Sequence, residues 1–596
     1  MGGPLDFNCL EFFKEEIWND AAAVRIGATS QVYLIASALG PEKSTTELVP
    51  LLAQVIKEEP LCNDEEFMYS MAKQFLVLSE YIDGHDELLI GPLEHLAAQD
   101  ETLVREQAIQ SLCEIVTKRP TLVPDHLLPA LHRLATATDF FTARISACAL
   151  LPTAYRFASE GQKAELQEVY SRLCADDVPM VRRAAAHRMH DLVSVCSKED
   201  VLGGLIGLYR QHSREDTQDL IRVSSVHTTL VISKMLSEEE NRQHTISVVR
   251  DAAEDRSWRV RLTAAKNFDG LCAGFGPQIT STHLLPLLVQ LMKDSEQQVR
   301  TEAVQVVEPL LALPRALAPE QLQQRVLPQL LSMGADPALP VRAALARALG
   351  PLAEALGRDG TERHLLGLVS QLAGDEFYDV RIGAVSSVGP LCELLGDGAP
   401  ARSLLGAVQG FALDDRWRIR QKAVEQVPGL ARLFGVSVFE STLEAMCLSS
   451  LRDPVHSVRE VASRTLREIT STFGPRWTVE RLLPKLADQY SQGAGYANRV
   501  TSLHALKQLS GAMSPEQVMQ FVVPVLVKAT KDGVPNVRIC ACLTIMWLAE
   551  NCDLGSAAIS TVIRPTLVEL KHDSDIDVQY YSQRAIAACG RERGSK

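Results

Sequence analysis

The sequence predicts an all-α superhelix, a solenoid of about fifteen stacked helical hairpins, and three observations carry that reading. First, one phrase recurs about every 39 residues: an Asp, four variable residues, Val or Ile, then Arg. It ends at Arg182, Arg222, Arg261, Arg300, Arg342, Arg381, Arg420, Arg459 and Arg538. Looser copies end at Arg25, Arg105, Arg144 and Arg499, and a last copy has Gln579 in the Arg place. The interval from Arg25 to Arg105 is two periods, so a degenerate repeat falls near Asn63–Ala72. Second, apolar residues return at +4, +8 and +11 from the Val or Ile, as one face of a helix requires. Val104, Ala108, Leu112 and Ile115 show it, as do Val260, Ala264, Phe268 and Leu271; Val380, Ala384, Val388 and Leu391; and Val537, Ala541, Ile545 and Leu548. Third, an apolar segment such as His283–Met292 precedes each Asp.

Each unit is therefore helix, tight turn, helix. A hairpin of this size cannot bury its apolar faces alone, so it stacks on copies of itself. The Ala that usually stands at +4 lets the neighbouring helix approach closely. A Pro near the start of the first helix suits a position where no N–H is needed. The turn Asp can accept backbone N–H bonds at the start of the second helix and can also meet an Arg of the adjacent repeat. Regular spacing favours an Asp–Arg ladder over Asp and Arg that only cap and solvate their own helices.

Composition narrows the function. Hydrophobic residues make up 46% and charged residues 22%, enough apolar surface for a folded chain. The net charge of −14 argues against phosphate-backbone binding, so no nucleic acid partner is expected. Thirteen cysteines are scattered without a C-x-x-C pair, mostly in apolar stretches, as reduced thiols in a core would be. That usage points to a reducing compartment, so cytoplasmic residence is expected and nuclear residence is compatible. The first residues lack a cationic start with an apolar core, and no apolar run reaches 18 residues, so neither a secretion signal nor membrane association is expected.

The turn residues between Asp and Val-Arg answer least to packing and most to partners. Three positions before the landmark Arg stand Phe141, Trp258, Tyr378, Trp417 and Tyr496, with His456 in the same place. Aromatic residues are only 5% of the chain, so their recurrence at one turn position is a pattern. Stacking aligns them in a row near Arg183, Arg259 and Arg418, the composition of a protein-interface hot spot. The alternative for any single ring is packing on a neighbouring turn or guanidinium.

Chemistry is harder to find. Gly40-Pro-Glu-Lys-Ser-Thr has the wrong glycine spacing for a phosphate cradle. His187 and His190 lack a third ligand at a recognisable spacing, so no metal site is expected. Cys540 and Cys542 point to different helix faces and read as core residues. No nucleophile elbow or kinase signature occurs, and no cofactor or catalytic residue is expected. The period weakens at Asn63–Glu66, at Ser491–Gly495, which lacks the Asp, and at the longer connection Leu313–Pro319; Gly590–Lys596 reads as a frayed tail.

A period near 39 with Asp before Val-Arg is the HEAT-repeat pattern. Whole phrases also resemble the scaffold (A, structural regulatory) subunits of the type 2A protein serine/threonine phosphatases: Ala175–Ala186, Ala252–Arg261, Leu291–Asp294 and Asp415–Arg420. The resemblance implies a horseshoe-shaped, non-catalytic scaffold. In it, repeats 1–10 span residues 1–400, the first eight forming an arm that binds an exchangeable regulatory B-type subunit. Repeats 11–15, residues 401–596, would hold the phosphatase catalytic subunit. Carried over by position, the regulatory-subunit ridge is Phe140, Phe141, Asp177, Pro179, Met180, Arg183, Trp258 and Arg259, and the catalytic-subunit ridge is Trp417, Arg418, His456, Tyr496 and Asn536. Pro454 and the turn Gln492–Tyr496 depart from the family pattern. Two other classes remain: a nuclear-transport-type helical carrier, which would use its inner surface for cargo, and an enzyme with a site hidden between repeats.

Overall fold

The computed structural model describes residues 9–214, 218–314, 317–492, 495–552, 554 and 559–590, apart from the Gln492 side chain. Asp216 of the phrase ending at Arg222, part of the Leu313–Pro319 connection, Gly493 and Ala494 of the thirteenth turn, and the tail beyond Gly590 lie outside the described residues. Among the described residues every regular element is helical and no strand occurs. The chain divides into two compact units, Met1–Leu291 and Met292–Lys596. No single helix among the described residues is long and apolar enough to cross a membrane.

Among the described residues fifteen second helices are found, seven in the first unit and eight in the second. In the first unit Glu65–Leu78, Thr102–Lys118, Phe141–Phe157, Pro179–Val195 and Asp219–Met235 pack each against the next. In the second, Tyr378–Leu395, Trp417–Val438, His456–Phe473, Tyr496–Ser510, Pro535–Asn551 and Ile576–Cys589 do the same. Each unit is therefore an α-α solenoid of the HEAT type. The predicted apolar face is the buried one: in the four sets quoted from Val104, Val260, Val380 and Val537, no residue is more than 1% exposed. All thirteen cysteines are free thiols, and burial pushes those of Cys174, Cys392, Cys447 and Cys542 up to about 12, leaving them un-ionised small hydrophobes.

Close packing has a measurable consequence at Gly383. A Cβ there would lie 2.7 Å from the Ala346 Cβ and 3.1 Å from that residue's backbone carbonyl carbon, on the preceding second helix. Backbone cannot retreat as a flexible side chain can. Gly383→Ala is expected to destabilise the second unit by about 1–3 kcal/mol despite the better helix propensity of Ala, as measured by denaturant unfolding.

The junction between repeats uses glycine differently. Gly474 ends the His456–Phe473 helix at φ 89°, its N–H bonded to the Thr470 carbonyl, and Pro475 opens the next helix. A left-handed stop followed by a residue with no N–H separates the two helices within one peptide unit. Gly40-Pro41 is the same device, with Gly40 at φ 77°, so the Gly-Pro-Glu-Lys-Ser-Thr stretch is a helix junction.

Pro319, Pro475 and Pro515 open first helices as expected, whereas other prolines stand further along. Pro50, Pro129, Pro286, Pro328, Pro484 and Pro524 do not open the first helices. Each follows a five-residue π turn, such as Thr280–Leu284 before Leu285-Pro286. A proline ring inside a helix crowds the carbonyl four residues back, and the wider turn admits it without breaking the helix.

The ladder is present, and Asp and Arg cap their own repeat as well. In each intact rung the Arg Nε and Nη2 reach both carboxylate oxygens of the next repeat's Asp. Arg222 meets Asp255 at 2.6 and 3.0 Å, Arg381 meets Asp414 at 2.7 and 3.0 Å, and Arg420 meets Asp453 at 2.6 and 2.9 Å. Arg144–Asp176, Arg300–Asp336, Arg342–Asp375, Arg499–Asp532 and Arg538–Asp573 repeat the fork. In the Arg420 rung the remaining Nη1 donates to the Asp414 carbonyl six residues back in its own turn, and Asp414 accepts the Arg416 N–H two residues on. One rung thus ties two turns through bonds of three kinds.

Where the phrase degenerates, the rung changes. Asp64 caps the Glu65–Leu78 helix and accepts Arg25, so it is the Asp of the poorly marked second repeat; Ser70 holds the Arg place and meets the Thr29 hydroxyl at 2.8 Å. Arg105 bonds the Gln99 carbonyl at 2.9 Å, and the next Asp place is occupied by Thr138. Gln579 makes the own-turn bond, to the Asp573 carbonyl at 2.7 Å.

Candidate protein-docking ridge

The turn geometry decides which side chains face out. Asp176 Oδ1 takes the Val178 N–H at 2.9 Å and Pro179 starts the second helix, which turns Asp177, Pro179 and Met180 to solvent; Arg183 is exposed one turn further on. Phe140 is the extended residue before its helix and is 55% exposed, beside Phe141 at 36%. The two rings together form an exposed apolar patch at the start of the helix. Trp258 is half-buried, with the Arg259 guanidinium 5.5 Å over its ring and that Arg bonded to Asp219 at 3.3 Å.

Met180 and Arg183 meet in a groove of about 400 Å³ walled by Ile145, Ala184, Leu220 and Val223 of three successive second helices. His187 and His227 close its far end, and burial pushes both pKa values down, so the imidazoles are neutral near pH 7. The rings of His187 and His190 stand 5.8 Å apart, and among the described residues no third ligating side chain joins them. Phe140, Phe141, Asp177, Pro179, Trp258 and Arg259 lie outside this groove, on the turns around it.

The second unit brings three of its five candidates together. His456 and Tyr496 begin two second helices, Asn536 is the second residue of the next, and all three line a groove of about 580 Å³. Tyr496 is 53% exposed. Arg459, His504 and Lys507 form its wall, and Glu460 is the carboxylate on it. Burial, with Lys507 nearby, pushes the His504 pKa down, so its imidazole adds no charge near neutrality. Trp417 and Arg418 stand apart from the groove: the guanidinium lies 4.6 Å over the indole, which is half-buried, while Arg418 is exposed. Stacking pre-orders this pair, so less entropy is lost when a partner covers it.

Reading the turn positions alone misses Arg459, His504 and Lys507. The signal for them is a second helical stripe that starts at the turn residue: 496, 500, 504, 507 is as regular a face as the buried one.

Comparison with known proteins adds three findings. Residues 244–359 match a family model described as the PIK3R4-like middle domain. The chain is 32% identical over 270 residues to the A-type regulatory subunit of protein phosphatase PP2A from Schizosaccharomyces pombe, a match that covers 44% of this chain and 45% of that protein. It is also 32% identical over 351 residues to the beta isoform of the human 65 kDa A-type regulatory subunit of serine/threonine-protein phosphatase 2A, covering 58% and 57%. To the Dictyostelium discoideum protein phosphatase 2A scaffold subunit it is 34% identical over 207 residues, covering 34% and 35%. The matches thus span roughly a third to just over half of these relatives. Among solved structures, a chain of the Kap95:Nup1 complex matches 97% of this chain and 76% of its own length at TM-score 0.57 and 14% identity. Kap121p bound to Nup53p matches 92% and 53% at TM-score 0.52 and 15% identity. At those identities the likeness is one of fold. The chain is a HEAT-repeat solenoid related in sequence to the A-type regulatory, or scaffold, subunits of protein phosphatase 2A.

Proposed function

We propose that this protein is the non-catalytic scaffold of a type 2A serine/threonine phosphatase assembly in the cytoplasm. In this reading residues 401–596 hold the catalytic subunit through Trp417, Arg418, His456, Tyr496 and Asn536. The N-terminal repeats hold a regulatory B-type subunit through Phe140, Phe141, Asp177, Pro179, Met180, Arg183, Trp258 and Arg259. The observation that carries it is the coincidence of two independent features: relatives named as phosphatase scaffold subunits, and exposed or stacked aromatic and Arg residues at the turn positions that the resemblance assigns to partners. The scaffold then acts by proximity, raising the effective concentration of a substrate-bearing subunit near the active site of another.

Affinity purification of the tagged chain, scored for each phosphatase subunit, tests the reading; recovery of neither defeats it. Trp258→Ala is expected to reduce regulatory-subunit recovery about tenfold or more while leaving catalytic-subunit recovery unchanged, since it removes a stacked aromatic anchor of the first unit alone.

A further inference from the structure

The first repeat leaves open a face that the four copies quoted from Val104, Val260, Val380 and Val537 seal. Before and after Arg25, Val24 stands in the Val place, Ala28 at +4 and Ile35 at +11. These three residues are only half-buried, and all of them line an open groove of about 220 Å³. Phe12, Phe13 and Glu16 of the Cys9–Ile17 helix form its other wall. Gly27 deepens it, since a Cβ there would meet nothing within 4 Å. Phe12 on the wall is exposed, and so is Leu34, next to Ile35 in the chain. Small-molecule and cofactor sites begin at about 300 Å³, so this volume suits a single anchoring side chain of a protein better.

Charge selects the occupant. The first hundred residues carry 18 acidic side chains against 5 basic ones, and the rest of the chain carries 56 against 55, so nearly all of the net charge lies at this end of the sequence. At the groove, Glu16 is on the wall, Glu15 precedes it on the same helix, and Asp20 follows in the turn. The neighbouring cations in the sequence are already engaged, Lys14 by Glu11 at 2.7 Å and Arg25 by Asp64. The same charge repels a second copy of this face, a nucleic-acid backbone and an anionic membrane. A cationic protein segment with an apolar side chain to bury satisfies both features.

We propose that this groove docks a cationic amphipathic segment of a bound protein, which inserts a large apolar side chain between Phe12, Val24 and Ile35 and sets Lys or Arg against Glu15, Glu16 and Asp20. The site lies outside the docking ridge proposed above and does not depend on which protein that ridge holds. Burial of the apolar side chain supplies most of the affinity, because Val24, Ala28 and Ile35 are already ordered on helices and lose little freedom. The carboxylates set the sign of the partner and speed its approach.

Calorimetric titration of the full chain with a short Leu/Lys peptide of amphipathic helical pattern, and with its Leu/Glu counterpart, tests it. Gly27→Leu fills the groove with a better helix former where space is open, so its melting temperature should not fall. The Leu/Lys peptide is expected to bind the native chain about tenfold or more tightly than it binds Gly27→Leu or the triple variant Glu15→Gln, Glu16→Gln, Asp20→Asn. Glu550→Gln with Glu569→Gln, in the second unit, should leave the affinity unchanged. Equal affinity in Gly27→Leu would show that charge alone holds the peptide, and equal affinity in the triple variant, or equal binding of the Leu/Glu peptide, would remove the cationic assignment. Binding to phosphatidylserine vesicles, or self-association in sedimentation, that is lost in Gly27→Leu would give the groove to a membrane or to a second copy. A gain in peptide affinity of about tenfold on removing residues 1–8 would give it to this chain's own segment, and each of these three results overturns the proposal.

Discussion

Replacing Trp417 and Arg418 together by alanine is expected to strip the catalytic subunit from this protein while regulatory-subunit recovery stays at the native level. The pair is a stacked aromatic–Arg element of the second unit: an indole under a guanidinium at 4.6 Å, presented by the turn that opens the Trp417–Val438 helix. Aromatic and Arg anchors of this sort commonly cost about 2 kcal/mol or more each when truncated at a well-packed interface. Even partial additivity therefore predicts a fall in affinity of about a hundredfold, since about 1.4 kcal/mol is a factor of ten. Quantitative co-purification at a series of catalytic-subunit concentrations measures it. Because Trp417 is half-buried, Arg418→Ala alone serves as the control: the guanidinium is exposed, and its removal leaves the indole in place. If the double variant loses both subunits, or melts well below the native chain, the effect is on folding and the docking role of the pair fails.

Much of the architecture was legible because a solenoid writes the same constraint many times. Val, Ala and two larger apolar residues at fixed offsets report one buried face, and copies from Val104 to Val537 agree on it. The ladder was legible for the same reason, as Asp and Arg keep a constant interval. The second repeat was hidden because its landmark is Ser70, whose hydroxyl contact with Thr29 serves where an Arg stands in the other copies. The π turns before Pro286 and its counterparts were not legible either, since the sequence marks the proline but not how the preceding turn widens to admit it. At the candidate ridge, His456, Tyr496 and Asn536 converge because they stand in the first turns of three successive second helices. The cationic wall behind them comes from residues up to three turns further along, which no inspection of turn positions would reach.

Asp453→Ala is expected to produce the largest loss of stability among single changes on the ladder, about 3–5 kcal/mol, because it leaves a guanidinium without its counter-charge. The side chains of Arg420 and Asp453 are only 14% and 7% exposed, so water cannot replace the lost partner fully. The substitution also removes the acceptor of the Val455 N–H at the start of the His456–Phe473 helix. The following rung is also absent at Arg459 among the described residues, so on that side the repeat is tied ionically through Lys485 and Glu444 of the first helices, at 2.6 Å. Repeats fold as neighbours coupled in one dimension, so the loss should appear first as faster amide exchange in the Trp417–Val438 and His456–Phe473 helices. Acid supplies the independent check. Burial opposes the charge of Asp453, but bonds from Arg420 and Val455 outweigh it and hold the pKa below the usual carboxylate range; Asp375, Asp414 and Asp532 are depressed for the same reasons. A carboxylate with a lowered folded pKa stabilises fully above its unfolded value of about 3.9, and that stability is lost as pH falls through the folded pKa. The native chain should therefore keep its ladder from neutrality to about pH 4 and lose stability steeply below it. The Asp453→Ala deficit should shrink over the same interval, because acid removes from the native protein the charge that the variant already lacks. A deficit that stays constant from about pH 7 to about pH 2 would show that the rung acts through packing and not through its charge.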